Sequence, residues 1–229
     1  MFGLIVYFAR LHVSWIRVSV TAFFLSMVYP LIADGIALAA GEQENPAPPD
    51  DVIFVPPEIG APRDRMGAGT RDVPSQTTSE TLQLLVPEDG GLTTLPSPPL
   101  VWRLTRGHRG DLVVGLKPSG ADGPQFRIKG PFAAGDYGLD LGRQNVLLDT
   151  NLVYLWHVTL VDENTGTVAH RATGLIERLP ETYRSNNPAA EGFWFDALSE
   201  LVDISLSGRI IATKPDQFEQ LMVAAGVGS

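Results

Sequence analysis

Residues 152–178 read LVYLWHVTLVDENTGTVAHRATGLIER and contain two runs of β-strand composition. Leu152–Val161 is rich in β-branched and aromatic residues, with Trp156 at its centre. Thr167–Arg178 follows after the polar turn Asp162–Gly166. Two such runs joined by a short glycine-containing turn are typical of a β-hairpin. The sequence therefore predicts a long antiparallel hairpin here.

Shorter β-type runs lie upstream of this hairpin, and each is bounded by turn residues. Leu100–Thr105 alternates Leu, Trp and Leu with Val, Arg and Thr, a period of two that indicates one buried face. The other predicted strands are Thr81–Val86, Asp111–Leu116, Gln125–Lys129 and Tyr137–Leu141. About seven short strands at this spacing favour an Ig-like or fibronectin-like antiparallel β-sandwich.

The hydrophobic period changes near the C-terminus to that of an amphipathic helix. Asn187 and Pro188 suit the N-cap and first position of this helix, and Gly208 suits its end. Thr213–Asp216 resembles a capping box before a second, shorter helix. The apolar stripe of the first helix is Trp194, Ala197, Leu198, Leu201 and Val202. The predicted fold is therefore mainly β, with a short C-terminal helical pair.

The N-terminus has the three elements of a secretory signal peptide. Arg10 and Arg17 form a positive region, Val18–Ala33 is uncharged and apolar, and Ala37–Ala39 supplies small residues before a cut after position 39. The alternative is an uncleaved anchor, but Asp34 cuts the apolar run short of the about 20 residues that a span needs. We expect a periplasmic or extracellular protein after cleavage.

The predicted domain organisation follows from these patterns. Residues 1–39 are the signal peptide, and residues 40–79 are dense in Pro, Gly, Ser and Thr, which indicates a partly ordered linker. Within the linker, Val52–Pro57 is compatible with an edge strand, where proline is tolerated. Residues 80–180 hold the predicted sandwich, and residues 181–229 form a helical segment packed on it.

Composition excludes several classes of function. The chain has 17 basic and 26 acidic residues, a formal charge of −9, and no cysteine. An acidic protein repels phosphate backbones, so we expect no nucleic-acid partner. Without cysteine there are no disulfides, thiolate nucleophiles or Cys-based zinc sites. We predict no cofactor, and membrane contact only through an uncleaved leader.

No residue pattern predicts a catalytic or metal site. Asp136 and Asp140 form a carboxylate pair on one face of a predicted strand, but a spacing of four along a strand produces this by geometry alone. His157 and His170 have no ligand-spaced neighbours. The motifs Gly-x-Ser-x-Gly and His-Glu-x-x-His do not occur. We therefore expect no enzymatic activity.

Two groups of residues are candidates for an interaction. Arg63, Arg65 and Arg71 cluster in an acidic chain and suit bidentate bonds to a carboxylate or anionic partner, or pairing with the protein's own acids. Phe193 and Trp194 place aromatic rings on more than one side of the predicted helix. One face is then free for a partner while the other packs on the sheet.

Several short motifs run in order from residue 53 to the end of the chain. They are Pro56–Arg63, Gly67–Arg71, Val86–Glu88, Pro99, Trp102, Tyr154–Trp156, Gly174–Arg178, Gly192–Leu198 and Leu221–Met222. In order and spacing they resemble the exported bacterial proteins of the domain of unknown function 928 family. The chain departs from some relatives in having no cysteine in the early segment. The resemblance implies export and a domain extent, and it assigns no catalytic residue.

These observations together predict a non-catalytic protein-interaction module that binds an unidentified envelope protein. The alternative is a carbohydrate-binding or carbohydrate-acting envelope domain, which needs aromatic rings exposed in a groove near Asp136 or Asp140. Tryptophan on an alternating strand or an apolar helical stripe usually lies in the core. We expect this of Trp102, Trp156 and Trp194.

Overall fold

A computed structural model of the chain describes residues 53–57, 60–62 and 80–227. The chain is mainly β, as predicted, with two helices near the C-terminus of the described part. In chain order its strands and α-helices are β1 (Leu82–Leu84), β2 (Gly91–Thr93), β3 (Pro99–Leu104), β4 (Leu112–Pro118), β5 (Gln125–Ile128), β6 (Gly135–Asp140), β7 (Leu152–Val161), β8 (Val168–Arg178), α1 (Trp194–Leu201), β9 (Val202–Ile204), β10 (Ile210–Ala212) and α2 (Pro215–Ala224).

The β7–β8 hairpin lies inside a five-stranded sheet with the order β2-β8-β7-β4-β5. The two strands pair antiparallel along their length, so the predicted hairpin is confirmed. In the turn, the Asp162 carboxylate accepts hydrogen bonds from the backbone N–H groups of Asn164 and Thr165. Such a bond from a side chain to the backbone is the reason that Asp favours turns.

A second sheet has three strands in the order β1-β3-β6, and β9 pairs with β10 as a separate hairpin. The sequence predicted antiparallel sheets, but β2 pairs with β8 in parallel. The five-stranded sheet is therefore mixed. The physical reason is the connection: Gly90, with φ +92°, turns the chain from β1 in one sheet to β2 in the other. β2 and β8 are therefore not joined by a hairpin, so their connection does not require them to run antiparallel.

Both sheets contribute to one hydrophobic core. Trp102 on β3, Trp156 on β7 and Trp194 on α1 are each no more than 1% exposed. Leu100 and Leu104 are buried on the face of β3 that the alternation predicted. The three tryptophans are therefore core residues, as the sequence indicated.

The first C-terminal helix differs from its prediction. α1 begins at Trp194, not after Asn187, and ends at Leu201, where the chain continues directly as β9. Gly208 does not end a helix, because it lies with φ +76° in the turn between β9 and β10. The second predicted helix is present as α2, but the predicted capping box at Thr213–Asp216 does not form: the N-cap is Lys214, and the Thr213 hydroxyl donates to the Glu200 carbonyl instead.

Tertiary contacts override the local pattern at both ends of α1. Before α1, the N–H of Phe193 donates to the carbonyl of Pro188 at 2.8 Å, and Gly192 has φ +80°, so the chain forms a turn there. After α1, Val202 and Ile204 are buried while the residue between them is exposed. That alternation is the period of a strand.

A buried polar cluster fixes α1 to the rest of the fold; we call Thr93, Thr94, Trp194 and Asp196 the α1 anchor. The Asp196 carboxylate accepts hydrogen bonds from the hydroxyls of Thr93 and Thr94, each at 2.5 Å, and from the Thr94 N–H at 3.0 Å. The Trp194 Nε1–H donates to the Leu85 carbonyl at 3.0 Å. The start of α1 is thereby tied to the end of β2 and to the residue that follows β1.

The predicted edge strand at Val52–Pro57 is not a strand in its described part, residues 53–57. Phe54 packs edge-on against Trp194, with ring centres 5.2 Å apart. The N–H of Val55 donates to the Ala189 carbonyl at 3.0 Å. The two prolines that follow have no N–H to extend this contact into a ladder.

The predicted leader, residues 1–39, and most of the linker, residues 40–79, lie outside the described residues. Within the described ranges, no helix is long and apolar enough to cross a membrane. Residues 181–227 contribute side chains to the same core as residues 80–180.

Candidate functional site

A groove of about 750 Å³ opens where β6 meets the turn between β9 and β10. Its lining comes from three segments: the end of β5 with the loop after it, β6 with the turn that follows, and the β9–β10 turn. Ligand sites typically have volumes of about 300–1,000 Å³. The groove is therefore large enough to accept a small ligand or a segment of a partner.

Glycines allow the β9–β10 turn to lie directly against β6. The N–H of Gly138 donates to the carbonyl of Gly208 at 2.8 Å. A Cβ at position 138 would lie 2.7 Å from Cδ1 of Ile204, so any larger residue there would displace that side chain. Gly208 has φ +76°, a region that favours glycine. Both positions therefore hold the groove wall in place.

Arg209 follows this turn and lines the groove. Its guanidinium carbon lies 4.8 Å from the centre of the Tyr137 ring, a cation–π contact, and Nη1 donates to the Ala134 carbonyl at 3.1 Å. Tyr137 is itself held, because it packs edge-on against Phe132 and its hydroxyl donates to the Ala133 carbonyl at 2.9 Å. The guanidinium of Arg209 thus lies on a rigid support.

Arg143 brings a second guanidinium to the groove. Its Nε lies 3.1 Å from Oδ2 of Asp140, and its Nη1 donates to the Ile204 carbonyl at 2.6 Å. Asp140 also accepts a hydrogen bond from the backbone N–H of Arg143. These bonds join the turn after β6 to the end of β9.

The groove is positive within an acidic protein. Its lining contains Lys129, Arg143 and Arg209 against the single acid Asp140, whereas the whole chain carries −9. Lys129 donates to Asp111 at 3.0 Å, and this bond holds the pKa of the Asp111 carboxyl below its ordinary value. Lys129 and Arg143 are thus each paired with an acid of the chain, and Arg209 is the cation of the lining that pairs with no acid of the described residues.

The structure corrects the predicted interaction residues on α1. Phe193 is 4% exposed and Trp194 is fully buried, so neither ring offers a face to a partner. The reason is that α1 has β2, β3 and α2 as neighbours and is enclosed between them. The other predicted interaction residues, Arg63, Arg65 and Arg71, lie outside the described residues.

The carboxylates singled out on β6 are separately ion-paired. Asp136 receives two hydrogen bonds from Arg103, at 2.7 and 3.0 Å. Asp140 pairs with Arg143 at 3.1 Å. The two acids therefore serve different arginines and do not form one site.

His157 lies on the five-stranded sheet against Gly115, where a Cβ would overlap the imidazole ring. Burial, together with the nearby charges of Arg171 and Lys117, lowers the pKa of His157 to about 4. Its Nδ1 has no hydrogen-bond partner among the residues that the structure describes. In the same residues, no group of three or more His, Asp or Glu side chains could hold a metal ion.

Sequence reasoning missed Arg209 because it assigned the preceding Gly208 to the end of a helix. A usable signal was present in the chain. Val202–Ile204 and Ile210–Ala212 are two short β-type runs separated by a polar, glycine-containing segment, which is typical of a hairpin. A hairpin prediction would have put Arg209 beside a turn rather than beyond a helix.

Comparison with known proteins gives one match. A family model described as Domain of Unknown Function (DUF928) matches residues 66–228, which include every strand and helix described above. No curated protein and no solved structure matches the chain. The match fixes the extent of the domain, and the chemistry must be argued from the groove itself.

Proposed function

The chain belongs to the DUF928 family, and from that premise we propose that it is an exported, non-catalytic protein-interaction module whose partner binds in the groove. One observation carries the proposal. Arg209 is held by Tyr137 and Ala134, yet no carboxylate of the described residues lies within ion-pair distance of it. A positioned, unpaired cation in a concave site is available to a partner.

The non-catalytic part of the proposal is supported by how the groove uses its acid. Asp140 is the acid of the lining, and it is held by both the side chain and the backbone of Arg143. Asp136, its neighbour on β6, is held by Arg103. General acid–base catalysis needs a group that is free to reach the proton it transfers, and these carboxylates are committed elsewhere.

We further propose that residues 1–39 are a cleaved signal peptide and that the mature protein acts in the periplasm or at the cell surface. The support is the order of charges, apolar run and small residues at the N-terminus. N-terminal sequencing of the protein recovered from the cell envelope tests this. A start at Ala40 is expected, a start at Met1 in the membrane fraction would favour the anchored form, and intact chain in the cytosol would overturn export.

The two sheets are proposed to be the layers of an Ig-like or fibronectin-like sandwich. The support is the core that they share, together with the antiparallel pairing in all strands except β2. An experimental structure with the strand connections of neither fold would overturn this assignment and leave the mainly β description intact.

The carbohydrate alternative has less support in the groove. Sugar-binding sites stack their ligands on exposed aromatic faces, and here Tyr137 is 5% exposed, with Arg209 over its ring. The tryptophans Trp102, Trp156 and Trp194 are buried. A protein partner is therefore the better occupant.

Site-specific photo-crosslinking in living cells tests the location of the partner. Leu206, at the tip of the β9–β10 turn, lines the groove and is 99% exposed, so a photoreactive residue there will face an occupant. Val168 on the β7–β8 hairpin, 62% exposed, is the matched control position. We expect a discrete adduct from position 206 that is lost in a Ser207→Trp background, which fills the groove. Equal adducts from both positions, or none from 206, would refute the groove as the binding surface.

A further inference from the structure

We infer that the groove recognises an acidic, extended segment of the partner protein, with Arg209 and Arg143 as the groups that bind its carboxylates. This inference rests on the proposed function and adds the chemistry of the occupant. Three features of the groove support it: the unused donors of the two arginines, the contrast between their charge and that of the chain, and the apolar residue beside them.

Arg209 has the geometry of a carboxylate receptor. A guanidinium carries five N–H donors in a planar fork, and among the described residues Arg209 donates to the Ala134 carbonyl. The ring of Tyr137 supports one face of the guanidinium, so the fork is oriented before any ligand arrives. A fork of this kind matches the two oxygens of a carboxylate better than a single charge does.

Arg143 supplies a second point of attachment. Asp140 engages its Nε and the Ile204 carbonyl engages its Nη1, which leaves Nη2 without a partner among the described residues. The bond to Asp140 reduces the charge that Arg143 offers, so Arg209 is the primary receptor. Two separate cations in one groove suit a ligand that carries more than one carboxylate.

The surroundings select a peptide over other anions. The chain as a whole carries −9, which opposes a long phosphate backbone but tolerates a short acidic segment confined to the positive groove. Leu206 lies at the groove with 99% of its surface exposed. An extended peptide that alternates acidic and apolar residues would pair with the arginines and also cover this leucine.

Fluorescence anisotropy with two matched probes tests the inference on the protein recovered from cells. The probes are a labelled peptide of alternating Glu and Leu and its counterpart of alternating Gln and Leu. We expect the acidic peptide to bind, with an affinity that falls as salt is added because ion pairs are screened, and the neutral peptide to bind at least about tenfold more weakly. Equal binding of the two probes would overturn the inference.

Three arginine variants locate the binding. Arg209→Gln is expected to weaken the acidic peptide about tenfold, and Arg209→Lys to recover part of the loss because it restores charge without the fork. Arg171→Gln removes the same charge from an exposed arginine on β8 and is expected to change nothing. Full binding by Arg209→Gln, or equal losses in both Gln variants, would refute the assignment.

A third probe separates this inference from its rivals. Oligogalacturonate carries carboxylates on a sugar backbone. If it bound more tightly than the acidic peptide, the ligand of the groove would be an acidic polysaccharide, and the inference of a peptide would be overturned. The crosslinking experiment at Leu206 reports separately. An adduct there without acidic-peptide binding would leave the groove as a partner site and discard its acid selectivity, whereas peptide binding without an adduct would discard the partner.

Discussion

The α1 anchor and the groove use similar polar groups in opposite ways. In the anchor, the Asp196 carboxylate is 7% exposed and is met by donors from Thr93 and Thr94. In the groove, Arg209 is exposed and donates to one carbonyl, with no acid of the described residues beside it. The polar groups of the anchor are thus hydrogen-bonded to one another within the fold. The groove instead holds the charged group of Arg209 in position and leaves most of its donors unused.

This contrast teaches which substitutions should report on stability and which on binding. A buried polar group without its partner costs its full desolvation free energy. An exposed cation that loses its side chain costs little, because water already solvates it. Changes in the anchor should therefore lower stability, and changes in the groove should lower affinity.

Removing the carboxylate of the anchor is the strongest way to break the contrast. Asp196→Ala leaves the hydroxyls of Thr93 and Thr94 and the Thr94 N–H without their acceptor. We expect the free energy of unfolding to fall by about 3–5 kcal/mol, measured by urea denaturation. Asp196→Asn keeps one acceptor oxygen, so its free energy of unfolding should lie between those of wild type and Asp196→Ala. A loss below about 1 kcal/mol for Asp196→Ala would contradict the anchor.

The positions of β7 and β8 could be predicted because their signal is local. In Leu152–Val161 and Thr167–Arg178, side-chain type, alternation and turn residues agree, and the structure follows them to within one residue at each boundary. The start of α1 could not be predicted this way. Pro188 holds the N–H of Phe193 through a turn, and this bond outweighs the good capping sequence at Asn187.

The groove could be predicted only in part, because it is assembled from distant segments. Asp140 was noticed as one of a pair, but its partner is Arg143 and not Asp136. Arg209 acquires its role from Tyr137, more than sixty residues earlier in the chain. A cation–π contact across that separation leaves no periodic trace in the sequence.

The buried histidine on the five-stranded sheet, His157, makes the stability of the fold depend on pH. Burial lowers the pKa of His157 to about 4 in the folded chain, against about 6.5 in an unfolded one. The unfolded chain therefore binds the proton more tightly than the folded chain does. The contribution of neutral His157 to the free energy of unfolding is complete above pH about 6.5 and is lost as pH falls toward about 4. We expect stability to drop over this window by about 1–2 kcal/mol, since partial solvation reduces the effect.

Urea denaturation at about pH 7 and about pH 4.5 measures this loss. His157→Gln should lack the His157 component, whereas His170→Gln, on the neighbouring strand, should retain it. The pKa of Asp162 is also lowered, mainly because its carboxylate accepts a hydrogen bond from the backbone N–H of Thr165. Protonation of Asp162 likewise lowers stability as the pH falls, but only below the ordinary value of 3.8, which is outside this window. Identical pH profiles for wild type and His157→Gln would contradict the prediction.

Two buried tryptophans sharpen the contrast within the core itself. Nε1 of Trp194 donates to the Leu85 carbonyl, whereas Nε1 of Trp156 has no partner among the described residues. Both rings are fully buried, so replacement by Phe removes a similar volume at each position. Trp194→Phe should therefore cost about 1 kcal/mol more than Trp156→Phe, by urea denaturation. Equal costs would mean that the anchor bond contributes nothing to stability.

The smallest expected effect on stability belongs to the residue with the largest expected effect on binding. Arg209→Gln removes an exposed cation–π contact and one hydrogen bond, and should lower the free energy of unfolding by less than about 1 kcal/mol. Arg103→Gln on β3 is its matched partner, because it breaks a two-bond, half-buried ion pair with Asp136. It should cost more stability and leave acidic-peptide binding unchanged. If both variants destabilised the chain equally, Arg209 would have a structural role. The groove would then have no cation available to bind a partner.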